Sequence, residues 1–479
     1  MWRVRAACLL CGTLPVLTFP RPGLSWLAWV ILVPGLLLMR SAPGVRAAGT
    51  RGWWFGAGYL TAVLYWTLPN IGPGLVLVAA VFGSLWAAWG AAARWLGSSA
   101  VAVIVLPSIW VAIEYARSWP SLGGPWGLLG VSQWNHPTIL SLASIGGVWL
   151  LSFVLVAANT AIVLALRPPR RGPWVRTGGV LLALLLVAGP LTYAARTSPS
   201  TEKTMRVALV QPGVVHSPPT RFSAGERITA QTPPADLIVW GESSVGHAIA
   251  RHPDIATRLR ALAAEAPILV NEDARDADGR ISKSAILINP DGTHQRYIKT
   301  RLVPFGEYIP FRSGFGWLSR ISRAAGQDRV PGTGASVMTT HGLTLGPLIC
   351  FESTFPDLGR AVVRRGAQLL VYQSSTSTFQ GSWAPPQHAS LVAVRAAETG
   401  RPAVQAALSG VSTAFDARGR RLAWMDTDHR GSTVVTLHIP PSTSRTPYDR
   451  LGDYVAYLAV LIAAAAALAA ARGRLARPR

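Results

Sequence analysis

The sequence predicts a membrane bundle of eight α-helical spans that carries a layered α/β domain. Three observations lead there. Half of the 479 residues are hydrophobic and the mean hydropathy is +0.32, high for a chain of this length. Eight apolar stretches approach the ~20 residues needed to cross a bilayer, seven before residue 197 and one after residue 453. Between residues 204 and 440, short apolar runs that end in turn residues alternate with helical stretches, the pattern of an α/β layer.

The spans fall near 5–20, 24–40, 53–69, 73–95, 99–117, 139–166, 176–195 and 454–472. The first is short enough to read as a secretion signal. No small-residue cleavage site follows "TLPVLTFPRPG", and a second apolar run comes at once, so it counts as a helix. The arginines orient the bundle. With the N-terminus in the cytoplasm, fourteen arginines lie on inside segments: 3 and 5; 40, 46 and 51; 94; 167, 170, 171 and 176; 472, 474, 477 and 479. The short outside loops hold two, Arg21 and Arg117. Both termini are therefore expected in the cytoplasm, and the long segment outside.

This gives the expected domains: a seven-helix region over 1–196, a linker at 197–203, an extracytoplasmic α/β domain at 204–440, a linker at 441–453, the eighth span at 454–472 and a basic cytoplasmic tail at 473–479. The net charge of +23 sits mostly beside apolar runs. That is the pattern of topology signals and membrane lipid contact, and no nucleic-acid partner is expected.

Inside the α/β domain, strands are expected in "MRVALVQP" (205–212), "ADLIVWGES" (235–243), "APILVNED" (266–273), "SAILINPDG" (284–292), "LGPLICFES" (345–353) and "AQLLVYQSS" (367–375). Helices are expected at 251–265, 355–366 and 387–399. "VSTAFDARGRRLAW" reads as a late hairpin and "STVVTLHIP" as a last strand.

Three polar residues stand at or just past strand ends: Glu242, Lys299 and Cys350. Strand ends are where α/β folds expose reactive groups. A thiol with a pKa near 8.5 needs a base to take its proton, and its adduct needs a cation or N–H for the oxyanion. Glu242 offers the base, Lys299 the cation and Cys350 the nucleophile of an acyl transfer through a thioester. Each has a plainer reading: a small buried thiol, a helix cap before "SSVG" and a surface charge. Spacing does not decide whether they meet. Only three of 45 basic residues are lysines, Lys203, Lys283 and Lys299. Arginine cannot replace a compact or titratable amine, so each lysine raises a question. Cys8 and Cys11 read as packing residues of the first span. His136 and His388 stand alone, so no metal site is expected. The motifs call for no cofactor either.

"VALVQP", "VWGES", "KTRLVPFGEYIP" and "LICFE", in the order Glu, Lys, Cys, resemble the nitrilase (carbon–nitrogen hydrolase) superfamily. "LVPFGEYIP", the eight spans, "GGPWGLLGVSQWNHP" (123–137) and "QHASLVAVRAAETGRPAVQAALSGVSTAFD" (387–416) resemble, more narrowly, the apolipoprotein N-acyltransferase family. The resemblance spans nearly the whole chain. It implies a nitrilase-like α-β-β-α sandwich on the bundle. It implies Glu242 as general base, Lys299 as stabiliser of the tetrahedral intermediate and Cys350 as nucleophile. Glu307 and Glu352 become supporting acids, and the Phe351 N–H part of the oxyanion hole.

The implied reaction passes an acyl chain from a phospholipid, through the Cys350 thioester, to the α-amine of a diacylglyceryl apolipoprotein. The implied home is the bacterial plasma membrane. The alternatives are a membrane-tethered amidase with water as acceptor, and a non-catalytic lipoprotein-binding paralogue. Four positions depart from the family pattern: Gly241 replaces a proline, Phe351 a tyrosine, Lys283 stands near a missing asparagine, and "SSTSTFQG" (374–381) replaces "NDAWFG". A segment at 304–326 carries Phe305, Tyr308, Phe311, Phe315, Trp317 and Leu318 beside basic residues, as an interfacial arm would. Trp119, Trp126 and Trp134 read as an aromatic belt or as packing.

Overall fold

The structure is a computed structural model that describes residues 2–122, 124–166, 187, 189–195, 201–275, 279–317, 319 and 327–475. The seventh expected span, Leu318 and most of the basic tail lie wholly or largely outside these residues. The chain divides into two compact units, 1–196 with 451–479, and 197–450.

The first unit is helical. α1 (Trp2–Thr13), α2 (Val33–Arg40), α3 (Val45–Val63), α4 (Gly74–Gly83), α5 (Trp86–Leu96), α6 (Ala102–Arg117), α7 (Ala143–Leu166) and a last helix, Tyr454–Leu475, follow the expected apolar runs. Among the described residues, three stretches are long and apolar enough to cross a membrane: Gly74–Leu96, Ala143–Leu166 and Tyr454–Arg472. In lipid there is no hydrophobic force between helices, so close backbone approach carries the packing. A Cβ on Gly58 would sit 2.1 Å from the Leu9 carbonyl oxygen, and one on Gly52 2.3 Å from that of Trp86. Trp86 and Trp89 stack edge-on to Trp110 at 5.4 and 5.1 Å. Of the three loop tryptophans, Trp119 is exposed, whereas Trp126 and Trp134 are buried and act as packing.

The second unit is built on two six-stranded sheets. The first has the order β12 (Gly431–Ile439), β1 (Lys203–Gln211), β2 (Leu237–Trp240), β3 (Ile268–Arg275), β4 (Ile281–Ile288), β5 (His294–Ile298). The second has the order β11 (Arg421–Met425), β10 (Ser412–Phe415), β9 (Ala403–Ala407), β8 (Leu369–Ser374), β7 (Leu343–Ile349), β6 (Met338–Thr340). β1, β2 and β3 pair in parallel, as do β7, β8 and β9. Ala208, Val210, Ile238, Trp240 and Ile268 pack under the helices Pro218–Ala230 and Pro253–Ala263. The helices Pro356–Arg364 and Ala384–Thr399 lie along the second sheet.

Polar side chains tie the two sheets together. Gln373, at the end of β8, is buried; its Nε2 donates to the carbonyls of Trp240 at 2.9 Å and Leu269 at 3.3 Å. Its Oε1 accepts from Asn271 Nδ2 at 3.2 Å, and Asn271 Oδ1 accepts from Ser243 N at 2.9 Å. The backbone N–H of Glu242 donates to the Ser374 carbonyl at 3.1 Å. A buried polar group must be satisfied, so this network fixes the end of β2 against the end of β8.

Candidate active site

Glu242, Lys299 and Cys350 each follow the C-terminal end of a strand: β2 and β5 of the first sheet, β7 of the second. Folding brings all three together. The Lys299 ammonium lies 3.3 Å from Glu242 Oε1 and 3.0 Å from Glu307 Oε2. The Cys350 thiol lies near enough to the Glu242 carboxylate to help lower its pKa. Both ionised side chains are almost fully buried, at 5% exposure for Glu242 and 1% for Lys299. The plainer readings of a helix cap and a surface charge therefore do not describe these two residues.

Cys350 adopts a left-handed backbone, φ 51°, as does Ser243 beside the base, φ 59°. Such conformations cost about 1–3 kcal/mol each in a non-glycine residue and cluster at functional sites. The turn Cys350–Thr354 is a single 3₁₀ coil. Its first N–H groups, that of Phe351 among them, have no partner within the coil. The Phe351 ring packs edge-on against Phe355 at 5.1 Å.

Glu352 fastens this turn to the lysine. Its Oε1 accepts from Tyr297 OH at 2.7 Å, Thr300 N at 2.7 Å and Arg301 N at 3.0 Å, and its Oε2 from Ile349 N at 2.7 Å. One carboxylate thus spans the residues after Lys299 and the residue before Cys350. Burial pushes its pKa up, and the backbone N–H groups of Arg301 and Ile349 work against that rise. Glu307 holds its own loop by accepting from Val303 N at 2.9 Å while it faces Lys299.

Three further charged residues, whose place the sequence did not reveal, complete the site. Lys283 Nζ lies 2.9 Å from Glu242 Oε1, 3.5 Å from Asp273 Oδ1 and 2.7 Å from Ser243 Oγ. Arg329 Nη1 lies 3.1 Å from Asp273 Oδ1, and its Nε 3.9 Å from Glu307 Oε1. Glu242, Lys299, Glu307, Arg329, Asp273 and Lys283 therefore form a closed ring of six alternating charges. Two signals in the sequence marked Lys283: the scarcity of lysine and its place near the asparagine missing from the family pattern. β4 gives it a buried position and β3 supplies Asp273 directly opposite, in register.

The electrostatics follow from this crowding. Burial alone would raise the Glu242 pKa, but Lys283 and then Lys299 outweigh it and hold the carboxyl far below its usual range. Burial would lower both ammonium groups; instead Asp273 and Glu242 raise Lys283, and Glu307 and Glu242 raise Lys299. Burial and the neighbouring Glu242 push the Cys350 thiol up to about 12. The resting site is a neutral thiol against a carboxylate between two ammonium groups.

Gly241 is close-packed: a Cβ there would lie 1.9 Å from Leu408 N and 2.5 Å from the Ala407 carbonyl carbon. This chain has no room for the family's proline before the base. The altered stretch 374–381 is a compact turn, with Thr376 N donating to the Ser409 carbonyl at 2.9 Å and Gln380 Nε2 to that of Thr427 at 2.9 Å.

Known families match both units. The apolipoprotein N-acyltransferase N-terminal domain matches residues 11–161, and carbon-nitrogen hydrolase matches residues 165–447. An apolipoprotein N-acyltransferase of Geobacter metallireducens is 31% identical, over 97% of this chain and 94% of that protein. The chain belongs to the apolipoprotein N-acyltransferase family. Another such protein, from Chlorobaculum tepidum, is 29% identical over 95% of this chain and 93% of its own length. Among solved structures, an amidase from Nesterenkonia sp. is 20% identical, covering 52% of this chain and 97% of its own, with a TM-score of 0.37. The chain is thus a membrane protein of an acyltransferase family with a carbon–nitrogen hydrolase domain.

Proposed function

We propose that this chain transfers an acyl chain from a phospholipid, by way of a thioester on Cys350, to the α-amine of the N-terminal diacylglyceryl-cysteine of apolipoproteins. One observation carries the reading in a chain of this family: a thiol beside a buried carboxylate that a buried ammonium also touches. The pKa gap between thiol and carboxylate means no thiolate is formed in advance. The Cys350 proton passes to Glu242 as sulfur attacks the ester carbonyl, while Lys299 and the Phe351 N–H stabilise the oxyanion. The C–O bond then breaks, and Glu242 returns the proton to the departing lysophospholipid oxygen. In the second half, the amine attacks the thioester, the C–S bond breaks, and Glu242 moves the amine's proton to sulfur. Glu307 and Glu352 hold Lys299 and the Cys350 turn in place.

Both substrates are lipids, so the site belongs near a bilayer. The reading includes eight spans, both termini in the cytoplasm, and the domain at 204–440 on the extracytoplasmic face of the bacterial plasma membrane. Within the first unit, Arg94 donates to the Ala42 carbonyl and Arg40 to Ser98 Oγ, so these arginines gather at one end of the bundle. That supports the orientation. In the second unit, Phe311 and Trp317 are exposed beside Arg312, which supports an interfacial arm.

The test is mass spectrometry of the protein mixed with phospholipid and no acceptor, with Cys350→Ala as control. A hydroxylamine-sensitive acyl mass on the Cys350 peptide, discharged by a diacylated lipopeptide, is the expected result. Discharge by water alone would make the chain an amidase-type hydrolase. A folded protein with no adduct would make it a binding paralogue.

A further inference from the structure

The triad accounts for two members of the six-charge ring, Glu242 and Lys299, and Glu307 supports them. The remaining arc, Lys283, Asp273 and Arg329, closes the ring between Glu242 and Glu307. We propose that Lys283 is a positioning residue for the reaction, holding Glu242 ionised and aimed at Cys350, and that Asp273 and Arg329 set how much of its charge Glu242 receives. The proposal rests on the acyl-transfer reading of Cys350 given above.

Three observations carry it. First, Lys283 is the nearer of the two ammonium groups to Glu242, at 2.9 Å against 3.3 Å for Lys299, and both meet the same oxygen, Oε1. Two ammonium groups on one oxygen restrain where the carboxylate sits. Second, Lys283 is buried, with 9% of its side chain exposed. A buried ammonium is costly unless paired, and it persists here through Glu242, Asp273 and Ser243 Oγ. Third, the arc is graded. Asp273 competes with Glu242 for Lys283, and Arg329 competes with Lys283 for Asp273. Asp273 and Arg329 are each 24% exposed, so the outer arc is within reach of mutation without opening the core.

Among the described residues, the titratable groups that face Glu242 are Lys283 from β4, Lys299 after β5, the Cys350 thiol after β7, Asp273 from β3 beyond Lys283, Glu307 beyond Lys299, and His388 from the helix Ala384–Thr399. Among these, Lys283 and Lys299 are the cations in contact. Catalysis needs Lys299 where the oxyanion forms. Lys283 is free to serve the base alone, and it keeps Glu242 a carboxylate at the start of each half-reaction.

The charges dictate opposite signs for neighbouring variants, which a merely structural role would not produce. Removing Lys283 takes away a cation, so the Glu242 pKa rises and the acid limb of the pH profile moves up. An opposite charge at this range shifts a carboxyl by roughly 1–3 units, so Lys283→Met moves the limb up by at least about one unit, a tenfold loss on its acid side. Lys283→Arg keeps the charge and holds the limb near its original place. Arg329→Gln lets Asp273 draw more on Lys283, so the limb moves up by less. Asp273→Asn removes a competing anion, so the limb does not move up.

The experiment follows the p-nitrophenol burst of the full-length protein in detergent with a p-nitrophenyl acyl ester, from pH 2 to 9 so that the acid limb falls inside the range, in these four variants. Thermal unfolding of each serves as a folding control. A uniform fall at every pH in Lys283→Met, or a limb that stays where it was, overturns the proposal. If Lys283→Met does not fold, the contrast between Arg329→Gln and Asp273→Asn decides, and a shift of the same sign in both overturns it. A Cys350 acylated by the aryl ester but not by phospholipid would sink the assigned donor and leave the ring test standing. A Cys350 unreactive toward both would sink the two together.

Discussion

Glu352→Gln is the sharpest test of how the site is held. The side chain keeps its size and loses one acceptor. Four donors converge on the carboxylate, three on Oε1 and one on Oε2. The least harmful placement puts the amide oxygen at Oε1 and the NH₂ at Oε2, facing the Ile349 N–H. That leaves a buried backbone donor unpaired, at about 1–3 kcal/mol, and turns three charge-assisted bonds into neutral ones, at roughly 1 kcal/mol each. Relief of the buried charge returns part of this, since burial already pushes the carboxyl toward its neutral form. The net expectation is a loss of about 3 kcal/mol, which lowers the unfolding temperature of a domain this size by about 6–12 °C. Because the lost bond fixes the Cys350 turn, and the weakened ones join that turn to the residues around Lys299, acylation of Cys350 should slow by at least about tenfold even at temperatures where the variant is folded. Calorimetry and the single-turnover burst measure the two quantities. A variant that melts within about 1 °C of the parent and acylates normally would refute the view that Glu352 is the clamp between nucleophile and lysine.

Gly241→Ala drives a Cβ into the Leu408 backbone, and overpacking of this kind costs about 1–3 kcal/mol; chemical denaturation should show that loss together with slower acylation, and a silent substitution would contradict the packing. Gln373→Leu strips acceptors and donors from the link between the sheets, so a loss of roughly 2–4 kcal/mol is expected, read as a shift in the urea midpoint. Alkylation of Cys350 by iodoacetamide should climb about tenfold per pH unit from pH 7 to 10 without levelling, because its thiol titrates near 12; a plateau below pH 9 would mean an ordinary thiol. Glu242 and Asp273 have depressed pKa values. They lend stability that is present above their unfolded values of about 4 and is lost as pH falls through the folded ones. The unfolding temperature of Asp273→Asn should therefore fall short of the parent's at pH 7 and approach it as the medium becomes strongly acidic.

Much of this was legible in the sequence, for physical reasons that differ by element. β1, β3 and β7 are apolar runs closed by turn residues, and they form where expected. β9, "AVQAA", escaped notice because alanine has little strand preference; it forms a strand because it lies between β8 and β10 with all five residues buried. β5, "HQRYI", is polar along an exposed edge of its sheet, and β6 spans three residues. The helix Pro218–Ala230 lacks a clear apolar stripe and starts where Ser217 caps Thr220 N. The last strand, expected at "STVVTLHIP", leaves the sheet of the late hairpin and pairs with β1, from Lys203 opposite Ile439 to Gln211 opposite Gly431. Partner choice over more than 200 residues leaves no mark on a local pattern. The same holds at the site. Glu242, Lys299 and Cys350 were visible because strand ends and a family motif marked them, whereas Asp273 and Arg329 sit in stretches without a motif and meet only through register and loop closure.

The left-handed turn at Cys350 puts folding and chemistry at odds. The backbone there suits glycine, so Cys350→Gly should raise stability by about 1 kcal/mol while abolishing the nucleophile. The same exchange offers a practical tool: a sturdier, inert scaffold with its charge ring intact, in which both lipids could be captured side by side.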